Sequence, residues 1–287
     1  MPTEMEKLVE RIAERVRAEM SAEATMKLVP PLAEVRGTWQ DEAALSSYLG
    51  GADRVGTDGG APANVGPAEV AKRIDHTLLK PDAVRSEFVK LCDEARAYKF
   101  ASVCVQTTWV PLCKQLLQGA GVMTICVVGF PHGAATTRAK AGETREAIAN
   151  GADEIDMVVN LGLLKGGDHN AVFEDIRAVV EAASGRPVKV ILETHMLNRE
   201  QKIAACAISK AAGAAFVKTS TGFSGGGATV EDIRLMRSVV GPEMGVKASG
   251  GVRNAADAEA MFSAGATRIG ASASVLIVTG GTSKGSY

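Results

Sequence analysis

This 287-residue chain has almost no net charge: 32 Lys and Arg stand against 33 Asp and Glu, giving −1 and a pI near 6.5. Such a balance supplies no whole-molecule field to hold nucleic acid or an anionic membrane. A small local basic pocket for a phosphate is still compatible with it. Cysteine is scarce and unpatterned. The five cysteines (Cys92, Cys104, Cys113, Cys126 and Cys206) are odd in number and make no C-x-x-C pair, so a disulfide framework is not expected and a reducing compartment fits better. The four histidines (His76, His132, His169 and His195) are scattered, with no H-E-x-x-H or related signature, and no metal site is expected. No apolar run approaches the roughly 18 residues of a membrane span. Glu4, Glu6, Glu10 and Glu14 suit neither a secretory leader nor a transit peptide, so a cytoplasmic location is the expectation.

What is present divides by texture. Residues 1–20 read as one amphipathic helix. The tract to residue 66, punctuated by Gly50, Gly51, Gly56, Gly59, Gly60, Pro62 and Gly66, reads as a linker. From about residue 67 to 278, short apolar runs alternate with Ala-rich helical stretches, and a Gly/Ser-rich tail closes the chain over 279–287. The runs lie at 72–76, 101–106, 122–129, 154–160, 188–193, 214–220, 245–249 and 267–271. Helical periodicity fills 138–150, 170–183 and 199–212, and Gly151 and Gly213 stand where helices stop before the next strand. Strand and helix in alternation imply parallel β-structure with right-handed crossovers. Eight units fit a closed (β/α)8 TIM barrel better than an open doubly wound sheet. The absence of G-x-G-x-x-G in the first unit weakens the dinucleotide-binding alternative further.

Barrel strands should be filled with apolar side chains, so charges inside them are informative. They are Asp75, Asp156, Lys189, Lys218 and Lys247. Lys218 and Lys247 fall near the ends of the sixth and seventh runs, which neighbour one another at about 4.8 Å. A lysine attacks a carbonyl only as the free amine, and burial beside another cation lowers its pKa toward that form. Asp156 could then carry protons. Each lysine, taken singly, could instead be half of a structural ion pair, as Lys189 with Glu193 or Asp156. Asp75 could be a plain hydrogen-bond acceptor, and Cys104 reads as a small buried hydrophobe. His76, His132 and His195 follow strands and read as loop residues. Ser249-Gly250-Gly251-Val252-Arg253 and Gly270-Ala271-Ser272-Ala273-Ser274 come with the last two strands, where barrels commonly hold a phosphate on backbone N–H groups. Thr221-Gly222 could add an amide. The expected substrate is a small phosphorylated carbonyl compound.

Several of these segments resemble deoxyribose-phosphate aldolases. They are Ile74-Asp75-His76-Thr77-Leu78-Leu79, Phe130-Pro131-His132-Gly133, Asp153-Glu154-Ile155-Asp156-Met157-Val158, Lys189-Val190-Ile191-Leu192-Glu193-Thr194, Val217-Lys218-Thr219-Ser220-Thr221-Gly222 and Val246-Lys247-Ala248-Ser249-Gly250-Gly251-Val252-Arg253. The likeness runs in order over roughly 68–275. It implies reversible cleavage of 2-deoxy-D-ribose 5-phosphate to acetaldehyde and D-glyceraldehyde 3-phosphate. By that resemblance Lys218 forms the Schiff base, Lys247 perturbs it, Asp156 moves protons and Lys189 completes the relay. Gly222, Ser249, Gly250, Gly251, Gly270 and Ser272 would surround the phosphate, and Thr219, Asp75 and Cys104 would lie close by. No cofactor is implied, because the iminium is itself the electron sink, and a homo-oligomer is expected. Two departures stand out: Ala271 replaces a hydroxyl residue between Gly270 and Ser272, and Tyr287 ends a short tail that could either reach the site or hang free.

On the N-terminal helix Met5, Leu8, Val9, Ile12, Ala13, Val16 and Met20 form one stripe, with Glu6, Lys7, Glu10, Arg11, Glu14 and Arg15 opposite. One expectation packs the stripe on the barrel or on a partner subunit. The other makes residues 1–20 an address, resembling the peptides that dock enzymes to a bacterial microcompartment shell protein. Rival readings of the whole chain are another Schiff-base aldolase, a phosphate-binding isomerase that forms no covalent adduct, and a non-catalytic scaffold working through the helix.

Overall fold

The alternation of runs resolves into a closed barrel. In the computed structural model, which describes residues 4–21 and 66–281, parallel strands pair in chain order and the last returns to the first. They are β1 (Ile74–Thr77), β2 (Ser102–Val105), β3 (Met123–Val128), β4 (Glu154–Val158), β5 (Val188–Ile191), β6 (Phe216–Lys218), β7 (Gly245–Ser249) and β8 (Arg268–Ala271). The helices are α1 (Glu4–Ser21), α2 (Pro67–Ala71), α3 (Arg85–Tyr98), α4 (Val110–Leu116), α5 (Thr137–Ala149), α6 (Leu161–Lys165), α7 (His169–Ala182), α8 (Arg199–Ala211), α9 (Val230–Val240), α10 (Ala255–Ser263) and α11 (Ser274–Thr279). No described helix is long and apolar enough to cross a membrane. The inner part of the expected linker and Tyr287 lie outside the described residues.

Local signals set the helix ends. The Asn198 side chain accepts from the Gln201 N–H at 2.9 Å, and the Gln201 side chain accepts from the Asn198 N–H at 3.0 Å. Each satisfies an orphan donor at the start of α8. Thr229 and Asn254 cap α9 and α10 in the one-way form, at 3.0 and 2.9 Å. At the far ends, Gly151 and Gly213 adopt the positive φ that reverses the chain into the next strand. The short α2 carries Pro67 at its first turn, and β1 begins only at Ile74, so Lys72 caps a helix and does not start a strand.

The outer faces of the strands meet their helices through Val, Ile, Leu and Ala, which join into one large cluster. Deep in this layer sits a buried ion pair. Lys140 Nζ on α5 lies 2.6 Å from Asp175 Oδ2 on α7 and donates to the Val158 carbonyl at 2.9 Å, while Thr137 Oγ1 donates to Asp175 Oδ1 at 2.9 Å. Burial lowers the Lys140 pKa, and Asp175 opposes that pull. The pair ties two helices to the top of β4, two residues beyond Asp156.

Helix α1 packs chiefly against α8. Val9 and Ala13 are buried in the main cluster, and Met5 and Ile12 pack on it. The described part of the stripe thus packs on the protein's own barrel, as the first of the two expectations has it.

Two outcomes are expected. Lys140→Met should cost about 3–5 kcal/mol, because it leaves Asp175 charged and unpaired, whereas Lys140→Met with Asp175→Asn should cost much less. Urea unfolding at neutral pH measures both, and equal costs would rule out the ion pair as the cause. Ala13→Asp should undock α1, raising amide exchange across Glu4–Ser21 while exchange in the strands stays slow.

Candidate active site

One side of the barrel interior is lined by charged side chains. Parallel register sets Asp156 beside Lys189 and Lys218 beside Lys247. Period-two alternation sends both pairs inward, along with Asp75, Glu154 and Arg268. All three lysines converge on one carboxylate: Lys189 Nζ is 3.0 Å from Asp156 Oδ1, and Lys218 Nζ and Lys247 Nζ are each 2.8 Å from Oδ2. Lys247 also lies 2.5 Å from Asp75 Oδ2, and Lys189 donates to Glu154 as well. Among the described residues, Asp156 is the only carboxylate paired with Lys218.

That difference separates the three amines. Burial pulls every one of them toward the neutral form. For Lys247 and Lys189 the paired carboxylates outweigh burial and raise the pKa. For Lys218, burial and the Lys247 charge together prevail over Asp156, and its pKa is lowered. Asp156 shows the converse. Burial favours its protonated form, but three ammonium groups hold it well below the usual carboxylate range. Asp75 is likewise held down by Lys247 and Arg268 against its burial.

The opposite wall is apolar. Leu79, Cys104, Ile125 and Val127 cluster there, with Phe130 packed on them and Phe223 meeting Phe130 edge to face at 5.2 Å. Burial pushes the Cys104 thiol up to about 11, so at neutral pH it is a small hydrophobe facing the lysines.

Above the lysines, the loops carry the small residues the sequence singled out. Gly222, Gly250 and Gly251 have φ of 86°, 78° and 79°, which turns their amides in ways an L-residue resists. Thr219 Oγ1 accepts from the Ser249 N–H and donates to its carbonyl, both at 3.0 Å, fastening the sixth and seventh loops together. The hydroxyls of Ser220 and Ser249 are buried without a hydrogen-bond partner among the described residues. Ser272 is exposed just beyond β8. Gly270 has a different place from the one expected. It lies inside β8, where a Cβ would come within 2.3 Å of Ser249 Oγ and 2.9 Å of Lys247 Cε, so its missing side chain makes room for Lys247.

Other expectations need correction. Glu193 does not pair with Lys189. It sits at φ 56° after β5 and accepts from the Thr221 N–H and hydroxyl and from Ser224 Oγ, anchoring the loop that contains Gly222. A buried carboxylate in left-handed backbone is the kind of strain that ordered binding loops retain. His76 is not a loop residue: it lies within β1, facing outward, with Nε2 2.8 Å from Glu94 Oε2 and its ring against Phe100. Two interior charges, Glu154 and Arg268, were missed, although both open strands that the runs had located. Among the described residues, no group of three or more His, Cys, Asp or Glu side chains is placed to hold a metal ion.

Comparison with known proteins agrees with this geometry. Residues 69–282 match the DeoC/LacD family of aldolases. The chain is 60% identical over 220 residues to deoxyribose-phosphate aldolase from Halalkalibacterium halodurans, covering 76% of this chain and 98% of that protein. It is 57% identical over 216 residues to the enzyme of the same name from Streptococcus gordonii, covering 75% and 98%. Among solved structures, a tetrameric deoxyribose phosphate aldolase from Aeropyrum pernix superimposes with a TM-score of 0.70 at 33% identity, covering 82% of this chain and 97% of that one. The chain belongs to the DeoC/LacD family of aldolases.

Proposed function

We propose that this protein is a class I deoxyribose-phosphate aldolase that cleaves 2-deoxy-D-ribose 5-phosphate reversibly to acetaldehyde and D-glyceraldehyde 3-phosphate through an imine on Lys218. The observation that carries the reading is the sharing of one oxygen of Asp156 by Lys218 and Lys247, with Lys218 paired to no other carboxylate among the described residues. The names of the relatives supply the substrate.

The sequence of steps follows from that arrangement. The neutral Lys218 amine adds to the C1 aldehyde, and loss of water gives an iminium. Breaking the C2–C3 bond sends its electron pair into the iminium, while the C3 hydroxyl loses its proton to a base, leaving an enamine and releasing D-glyceraldehyde 3-phosphate. Protonation at C2 and hydrolysis return acetaldehyde and the free amine. In the resting site Asp156 is a poor base, being held by three cations. When Lys218 stands as a neutral amine or carbinolamine, one of those cations is gone and the carboxyl's proton affinity rises. At those stages Asp156 can take a proton and return it, with Lys247 and Lys189 oriented to share the transfer. Gly222, Gly250, Gly251 and Ser272 hold the phosphate through loop amides and a hydroxyl. Gly270 is assigned to spacing Lys247. By likeness to the tetrameric relative, the working form is an oligomer of identical chains.

Two results are expected. Borohydride reduction with acetaldehyde should leave one adduct, on Lys218, and Lys218→Ala should leave none; peptide mass spectrometry locates it. An adduct on Lys247, or no adduct at all, would overturn the assignment. Gly250→Ala should raise KM for the phosphorylated sugar roughly tenfold or more, the worth of one lost bond to an anion. Trapping of acetaldehyde, which carries no phosphate, should change far less. Equal loss of both would place Gly250 in the fold and not at the phosphate.

A further inference from the structure

Six charged side chains inside the barrel form a closed ring of alternating sign. Arg268 Nη1 lies 2.7 Å from Asp75 Oδ1, and Asp75 Oδ2 lies 2.5 Å from Lys247 Nζ. Lys247 continues to Asp156 at 2.8 Å, and Asp156 to Lys189 at 3.0 Å. Lys189 meets Glu154, and Glu154 Oε2 returns to Arg268 Nη1 at 3.6 Å. Three cations and three carboxylates make the ring neutral. Among the described residues Lys218 joins it only at Asp156, and as an ammonium group it adds one unmatched positive charge.

Resting on the reading of Lys218 as the amine that forms the imine, we propose that Arg268 and Glu154 are positioning residues of the reaction. They close the ring at the end of the barrel away from the loops, fix Lys189 and Lys247 as ammonium groups, and leave Lys218 as the group that releases its proton. Neither residue touches the reacting atoms.

The arrangement beneath the ring supports this. Glu154 precedes Asp156 by two residues and shares its face, and Arg268 is the register partner of Lys247. Phe216 fills the floor, with the Arg268 guanidinium carbon 5.6 Å and Lys189 Nζ 5.4 Å from its ring centroid. Gly245 beside it carries no side chain, and a Cβ there would stand 2.1 Å from that ring. The floor therefore keeps water from screening the ring from below. The groups acting on Lys218 are Asp156 from β4, Lys247 from β7 and Cys104 from β2, while Asp75 from β1, Glu154 from β4, Lys189 from β5 and Arg268 from β8 complete the charges inside the barrel. Strand β3 supplies Ile125 and Val127. Cys104 stays a thiol at neutral pH, so the charge balance is set by the ring alone.

Balance of this kind makes a signed forecast. Removing Arg268 leaves the interior more negative, favours the Lys218 ammonium, and moves the rise of imine formation to higher pH. Removing the Glu154 charge does the opposite. The measurement is the pH dependence of cyanoborohydride trapping by acetaldehyde on the full chain, with Arg268→Met, Glu154→Gln, both together, and Arg268→Lys. We expect shifts of about one pH unit in opposite directions for the two single variants, equivalent to about a tenfold change in trapping rate at a fixed pH on the rise. The double variant should return toward wild type, and Arg268→Lys should stay near it. Shifts of the same sign, or unshifted profiles in folded variants that still form the adduct, would overturn the ring while leaving the Schiff base standing. If Arg268→Met does not fold, the near-isosteric Glu154→Gln decides alone by whether its profile moves to lower pH. Absence of adduct in the wild type would overturn both readings together.

Discussion

Everything in this barrel is arranged around keeping charge matched where water is excluded. An isolated buried ion costs several kcal/mol, and removing one partner of a buried pair costs about 3–5 kcal/mol. Where barrel interiors are usually filled by branched aliphatic residues, this one carries Asp75, Glu154, Asp156, Lys189, Lys218, Lys247 and Arg268, each in contact with at least one opposite charge. Such an interior is stable only as a set. The fold must therefore hold seven side chains in register at once, which a closed sheet of short parallel strands does well. Its strands cannot slip without moving a lysine away from its carboxylate.

The same constraint explains the division of the walls. Leu79, Ile125 and Val127 present no side-chain donor or acceptor to the charged half and Cys104 only a weakly polar thiol, and Phe216 covers the floor. With little solvent to screen them, small differences in the number of partners become large differences in proton affinity. The pair of Lys140 and Asp175 applies the same matching outside the barrel, where it secures the top of β4 and so the backbone that presents Asp156.

Much of this was legible in the sequence because charged residues inside apolar runs have few structural excuses. Asp75, Asp156, Lys189, Lys218 and Lys247 stood out for that reason, and the order of the runs alone made Lys218 and Lys247 neighbours. Predicted helices over 138–150, 170–183 and 199–212 fall within one residue of α5, α7 and α8, whose caps and closing glycines are local signals. What failed was long-range. Glu154 and Arg268 occupy the first positions of their strands, where a charge reads as a boundary, and only barrel closure brings them together across the chain. Of the two partners offered for Lys189, Asp156 takes the place, while the left-handed backbone of Glu193 turns it toward the loop after β6. Gly270 looked like part of a glycine-rich loop because sequence cannot show which neighbour fills the space a glycine leaves. The stripe on α1 was plain, but nothing in its periodicity says whether it covers a partner or its own barrel.

Why Lys218, and not its neighbour, should be the free amine reduces to counting carboxylates. Lys247 is held between Asp75 and Asp156, and Lys189 between Glu154 and Asp156, each with two anions against its desolvation. Lys218 has half of one oxygen that already serves Lys247. Its neighbours therefore gain from staying charged, and each charge they keep makes the Lys218 proton less favourable. Proximity of two lysines alone would not choose between them; the unequal distribution of anions does. Lys218 also ends β6, below the loops that bear Gly222 and Gly250, and its side chain is the least buried of the three lysines.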